Sequence, residues 1–318
     1  MAGSTRTAQD SVAFAREHVG LYAHGHEHSV PDLTQGPRHP HIDRGTMDQE
    51  KITLSGTQET MLATLYARAV DSRSPDTVLG DTAAQAAVER IAYDFGKTGM
   101  TATTAVGVAL RAKQLDDWTT AFLAEHQKAT VLHLACGLDT RVQRLDPPSS
   151  VHWIDVDFPD VVELRRRLLP EPSGDYEMVA SSVTDEAWLS EVPDDRPTVA
   201  VFEGLTMYLT KDEGKRLIQR ITGRFPSGQL LFDCYGSLGI KLQKCVPAVR
   251  NAGATLHWGL DDPYELEGWH DGLSCLDAVR SVDMPGLEKM PSTGRMSMKV
   301  MAHLPGFRDV GRILRYRF

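Results

Sequence analysis

Gly137 and Asp157 lie twenty residues apart, each just past a short apolar run, VLHLA at 131–135 and VHWIDV at 151–156. A glycine lets backbone come close to a ligand. An acidic residue about twenty positions further on reaches ribose hydroxyls in open α/β sheets. Asp139 adds a carboxylate to the first turn. Glu203, followed by Gly204, ends a third apolar run, VAVF. A carboxylate there can receive an ammonium group or pair with an arginine. Ser181, Ser182, Val183 and Asp185 follow a weaker run at 176–180 and suit hydrogen bonds to a nucleobase, although Ser and Asp are also ordinary helix-start residues. Arg111 is anomalous. With Leu115, Trp118 and Phe122 it recurs at intervals of four, three and four, which puts a guanidinium on an apolar helix stripe. Such a charge needs an anion, supplied by a ligand or by a core Asp or Glu.

The elements that carry these residues alternate. Strands are expected at 131–135, 151–156, 176–180, 199–202 and 229–232, with helices at 159–169, 185–191 and 211–225 between them. This alternation predicts an α/β fold, a doubly wound, mainly parallel sheet whose ligands sit beyond the carboxyl ends of the strands. Helices are expected ahead of it at 57–70, with Ser55 as N-cap, at 83–93 and at 103–126. A strand-like ending, 313–318, closes the chain. The roughly 80 residues before it break the alternation and read as a cap over the ligand edge, about 235–305.

The chain has 318 residues, with 34 Lys and Arg against 43 Asp and Glu, a net charge of −9. That balance argues against a sequence-independent nucleic-acid binder. Residues 1–46 hold six of the twelve histidines and few apolar residues, and read as an extension ahead of a folded domain at 47–318. Four cysteines without a CxxC pair give no zinc-ribbon signature, and no metal site is expected. No secretory signal and no apolar run of about 18 residues are visible, so no membrane span is expected and the cytoplasm is the expected compartment.

Six ordered blocks resemble the leucine carboxyl methyltransferase-like family, and most closely its bacterial polyketide O-methyltransferase branch. They are SGTQETMLATLYARAVDSR (55–73), LRAKQLDDW (110–118), HLACGLDTR (133–141), WIDVDFPDVVELRRRLLP (153–170), FEGLTMYLT (202–210) and RFPSGQLLFD (224–233). The resemblance implies a class I methyltransferase fold. It also implies S-adenosyl-L-methionine (SAM) as donor, S-adenosyl-L-homocysteine as product, and a small-molecule acceptor. Carried over by motif, Arg111 would bind the donor's carboxylate, Gly137 and its neighbours would lie along the methionine portion, and Asp157 would hold the ribose. Ser182 and Val183 would flank adenine, where many relatives carry an Asp-Leu-like pair. Glu203 would sit near the donor's amino group, and Tyr208 would wall the transfer pocket. Ala135 stands where the family usually has Gly.

A carboxylate acceptor needs no general base, whereas a phenol, with a pKa of about 10, benefits from one. His257, in ATLHWGLDD, is the candidate base; Arg295 and His270 are weaker acceptor-site candidates. Trp258, Trp269, Met284 and the methionines at 290–301 either line an apolar acceptor pocket or pack the core. The leading reading is O-methylation of a carboxylate or hydroxyl on a small natural product. Alternatives are a protein C-terminal carboxyl methyltransferase and a SAM-binding protein that does not methylate. An NAD(P) enzyme is disfavoured, because the first turn lacks a full G-x-G-x-x-G.

Overall fold

The computed structural model describes residues 50–52 and 56–318. The extension at 1–46 and the expected N-cap Ser55 lie outside the described residues. Helices α1 (Thr57–Ser72), α2 (Thr82–Glu89) and α3 (Ala102–Glu125) come first, with a two-stranded sheet formed by β1 (Glu50–Lys51) and β2 (Ile91–Ala92). The second helix therefore stops before the expected 93, and its last residues pair as β2 instead. Both α2 and α3 open on side-chain caps: Asp81 accepts from the Ala84 N–H, and Thr101 and Thr104 form a reciprocal capping box.

The alternation then runs β3 (Thr130–Leu134), α4 (Arg141–Leu145), β4 (His152–Asp157), α5 (Pro159–Leu168), β5 (Asp175–Ala180), α6 (Ala187–Glu191), β6 (Thr198–Phe202), α7 (Lys211–Arg224) and β7 (Gly228–Tyr235). Short helices α8 (Ser237–Lys241) and α9 (Pro247–Asn251) follow, then β8 (Ser274–Arg280), α10 (Ser292–His303) and β9 (Gly311–Arg317). The sheet order is β5-β4-β3-β6-β7-β9-β8. Neighbours from β5 to β7 are parallel, and β9 runs antiparallel to both β7 and β8. The chain order reverses between β3 and β6, which sets a switch-point crevice at their carboxyl ends.

The sequence reading has no strand at 274–280, and β8 corrects it. Of the expected cap, Tyr235, 246–249 and Leu256 reach the cavity, 258–273 packs into the core beside α7, and 274–303 returns to the sheet and to α3. Alternation along the strands feeds two cores. Leu132, Leu134, Ile154, Val156, Phe202 and Phe232 meet α6 and α7 on one face. Val131, Trp153, Val199 and Val201 meet Leu115, Trp118 and Phe122 of α3 on the other, with Met284, Met290 and Met298 packed among them. These methionines are core. Among the described residues no helix is long and apolar enough to cross a membrane.

Candidate active site

A cavity of about 500 Å³ opens at the carboxyl ends of β3, β4, β5 and β6. Arg111, Ala135, Gly137, Asp139, Asp157, Ser182, Val183, Glu203 and Tyr208 all line it. Its volume lies within the range of small-ligand sites.

The turn after β3 is left-handed twice, at Ala135 (φ 50°) and Gly137 (φ 51°). Alanine holds this conformation at a cost of about 1–3 kcal/mol that glycine would not carry. At Gly137 a side chain would also meet Met61 of α1, 3.0 Å from its Cγ. The Gly137 N–H donates to Asp157 Oδ2 (2.7 Å) and the Phe158 N–H to Asp157 Oδ1 (2.7 Å). Burial still lifts the Asp157 carboxyl above its ordinary value, with those two N–H groups only partly opposing it. A buried carboxylate on the cavity wall that lacks full compensation fits a ligand bringing hydroxyl donors.

Arg111 finds anions within the chain. Its Nε donates to Glu203 Oε1 (3.0 Å) and its Nη1 to Asp233 Oδ2 (2.9 Å). Asp233, at the end of β7, also accepts the Gly204 N–H (2.6 Å). Glu203 Oε2 accepts from the fully buried Arg141 (2.6 Å), which also bonds Asp116 (2.6 Å). Arg144 ties Asp116, Asp139 and Asp81 together beneath the turn. Burial works to raise the carboxyls of Glu203, Asp139 and Asp233, with opposite outcomes. Arg111 and Arg141 hold Glu203 below the usual range, and Arg144 and Arg141 hold Asp139 well below it. At Asp233 burial and the neighbouring Glu203 outweigh Arg111, and its carboxyl stays raised. The excess acid at this floor suits a cationic ligand, while 17% of the Arg111 side chain stays exposed to meet an anion.

The other half of the cavity is apolar. Met207, Val249 and Leu256 form a small core with Tyr208, Tyr235, Ile240, Val246 and Ala254, so 246–256 roofs the space beyond Glu203. Tyr208 Oη donates to Thr60 (3.1 Å), and burial pushes its phenol up to about 12.

His257 is not part of this site. Leu256 and Trp258 point inward, the His257 N–H donates to Met207 O (2.7 Å), and alternation turns the imidazole out to solvent. Arg295 is exposed on α10 and bonds the carbonyls of Glu288 and Met290. Trp258 and Trp269 stack on each other in the core, and neither they nor His270 line the cavity. The sequence reading missed Asp233 and Phe158. Asp233 had a signal, since it ends the run LLFD as Glu203 ends VAVFE. Phe158 lines the cavity while 44% exposed. Among the described residues no group of three or more His, Cys, Asp or Glu is arranged to hold a metal ion.

Comparison with known proteins agrees with this architecture. The leucine carboxyl methyltransferase family model matches residues 61–222. The chain is 43% identical over 269 residues to the tetracenomycin polyketide synthesis O-methyltransferase TcmP of Streptomyces glaucescens, covering 85% of this chain and 99% of that protein. It is 40% identical over 248 residues to the S-adenosyl-L-methionine-dependent methyltransferase dpfgK of Gibberella zeae, covering 72% and 83% of the two chains. A duf574 family protein from Streptomyces avermitilis shares the fold, with a TM-score of 0.54 at 13% identity over 83% of this chain and 97% of that one. By the family match and by a relative matched almost end to end, this chain belongs to the leucine carboxyl methyltransferase family.

Proposed function

We propose that the chain is a SAM-dependent O-methyltransferase for a small, largely apolar, polyketide-like acceptor. The observation that carries this is the two-part cavity, polar and acidic at the strand ends and apolar beneath 246–256. The names of the relatives from S. glaucescens and G. zeae support the donor and the acceptor class. Asp157 holds the ribose, Ser182 and Val183 flank adenine, and Gly137 and Asp139 follow the methionine portion. Arg111 takes the donor's carboxylate and Glu203 its amino group. SAM supplies a methyl already activated on a sulfonium, so the protein's work is alignment and exclusion of water. Tyr208, Met207 and Leu256 wall off solvent on the transfer side.

Of the two oxygen acceptors, a carboxylate fits better. His133 is held against Asp155 (2.9 Å), and Glu213 is held by the Thr210 N–H and hydroxyl, which keep its carboxyl below the usual range. Neither is poised to take a phenol's proton, whereas a carboxylic acid ionises near pH 4 unaided. The test is turnover of methyl-labelled SAM with a polycyclic aromatic acid that also carries phenols. The expected label is a methyl ester, released by mild base. A base-stable aryl ether would favour the hydroxyl reading, and no transfer to either oxygen would reject O-methylation.

A further inference from the structure

The turn after β3 has a single glycine, the loop after β5 has none, and both line the cavity. Something outside the cavity must hold their shape. Two arginines are placed to do so, one from each face of the sheet. Arg165 of α5 is 2% exposed. Its Nη1 donates to the carbonyls of Gly137 (3.0 Å) and Asp139, and its Nη2 to Asp155 Oδ2 (2.6 Å). Asp155 is fully buried and is itself fixed by Trp153 Nε1 (2.8 Å), Tyr176 Oη (2.8 Å) and the His133 ring. Arg220 of α7 reaches the second loop. Its Nη2 donates to Val183 O (2.9 Å) and its Nη1 to Thr184 O (3.2 Å) and Asp185 O (2.7 Å). Neither guanidinium lines the cavity.

We infer that Arg165 and Arg220 are positioning residues that set donor affinity by clamping the backbone carbonyls of the two donor loops from behind. The inference rests on the reading that the strand-end half of the cavity holds SAM. Its physical basis is the trans peptide, in which C=O and N–H point opposite ways. Fastening the Gly137 carbonyl to Arg165 aims the Leu138 N–H away from that arginine, and Leu138 lines the cavity. A guanidinium can serve two or three carbonyls at once with charge-assisted bonds, which an ammonium cannot match in geometry. Where a glycine would only permit the required backbone shape, the fork holds these loops in one shape among several.

Arg224 provides an internal control. It too clamps carbonyls, of Ser190 and Val192, but neither residue lines the cavity. The experiment compares Arg165→Lys, Arg220→Met, Arg224→Met and Asp157→Asn by calorimetric titration with SAM, alongside kcat, KM for each substrate and Tm. Arg165→Lys and Arg220→Met should raise Kd and KM for SAM about tenfold, with kcat at saturating SAM and KM for the acceptor within about twofold of wild type. Arg224→Met should change neither SAM constant. Should Arg165→Lys fail to fold, Arg220→Met carries the test, because its guanidinium is only half-buried. The clamp is overturned if folded Arg220→Met binds SAM like wild type while Asp157→Asn binds weakly. It is equally overturned if Arg224→Met weakens SAM as much as Arg220→Met does. Wild-type affinity in Asp157→Asn would instead overturn the reading of the cavity on which the clamp depends.

Discussion

At the scale of single residues, the site sets stability against binding. Asp157 is the clearest case, because burial raises its pKa despite two backbone N–H groups. A carboxyl raised in the fold contributes stability at low pH that is lost as pH rises through its folded value. At neutral pH it is therefore a liability until a ligand's hydroxyls reach it. Asp157→Asn loses one backbone hydrogen bond, worth about 1 kcal/mol, and is relieved of a buried charge. Its ligand-free stability at pH 7 should stay within about 1 kcal/mol of wild type, while affinity for SAM falls at least tenfold. Measured by denaturant titration, wild type should gain on the variant as pH falls toward the ordinary carboxylate range. A large loss of ligand-free stability at pH 7 would make Asp157 a structural residue. Spacing marked Asp157 and Arg111 as positions of interest, and both line the cavity, with Arg111 paired to the core acids Glu203 and Asp233. His257 was misread because its neighbours Leu256 and Trp258 take the inward positions, which no local pattern reveals. Asp233 was passed over because its value depends on Arg111, 122 positions away.

At the scale of elements, strands buried on both faces were the legible ones. β3 and β6 are buried at every residue and read as unbroken apolar runs. β8 lies at the sheet edge, half-exposed, with an irregular register between Cys275 and Asp277, so SCLDAVR carries no clear period. The roof of the site depends on a contact of the same hidden kind. Trp258, one residue from the misread histidine, packs on α7 so closely that a Cβ on Gly214 would lie 2.3 Å from the indole. Trp258 is also stacked on Trp269, so it has little room to yield. Gly214→Ala would gain up to about 1 kcal/mol of helix propensity but should lose more, about 1–3 kcal/mol, to overpacking. A lowered Tm is expected, and a raised one would show that the 254–262 segment is loosely held.

For the whole molecule, one continuous, mainly parallel sheet and the helix ahead of it bring residues from four elements to a single cavity. Arg111 comes from α3, Gly137 from the β3 turn, Asp157 from β4 and Glu203 from the end of β6, while Asp233 of β7 holds Arg111 from behind the cavity wall. The doubly wound order was readable from alternating apolar runs and helices. The apolar half was not, since it is assembled from 246–256 and the loops at 98–100 and 205–209, which are distant in sequence. Beneath the strand-end half of the cavity, Asp81, Asp116, Asp139, Glu203 and Asp233 surround four arginines, so the buried charges nearly balance. The central claim is that SAM lies along this floor with its methyl facing the apolar half. A crystal structure with S-adenosyl-L-homocysteine bound tests it most directly. The account predicts ribose hydroxyls on Asp157, adenine beside Ser182 and Val183, the amino acid end at Arg111 and Glu203, and sulfur facing Tyr208. A ligand in the reverse orientation, or one bound away from Asp157, would contradict it.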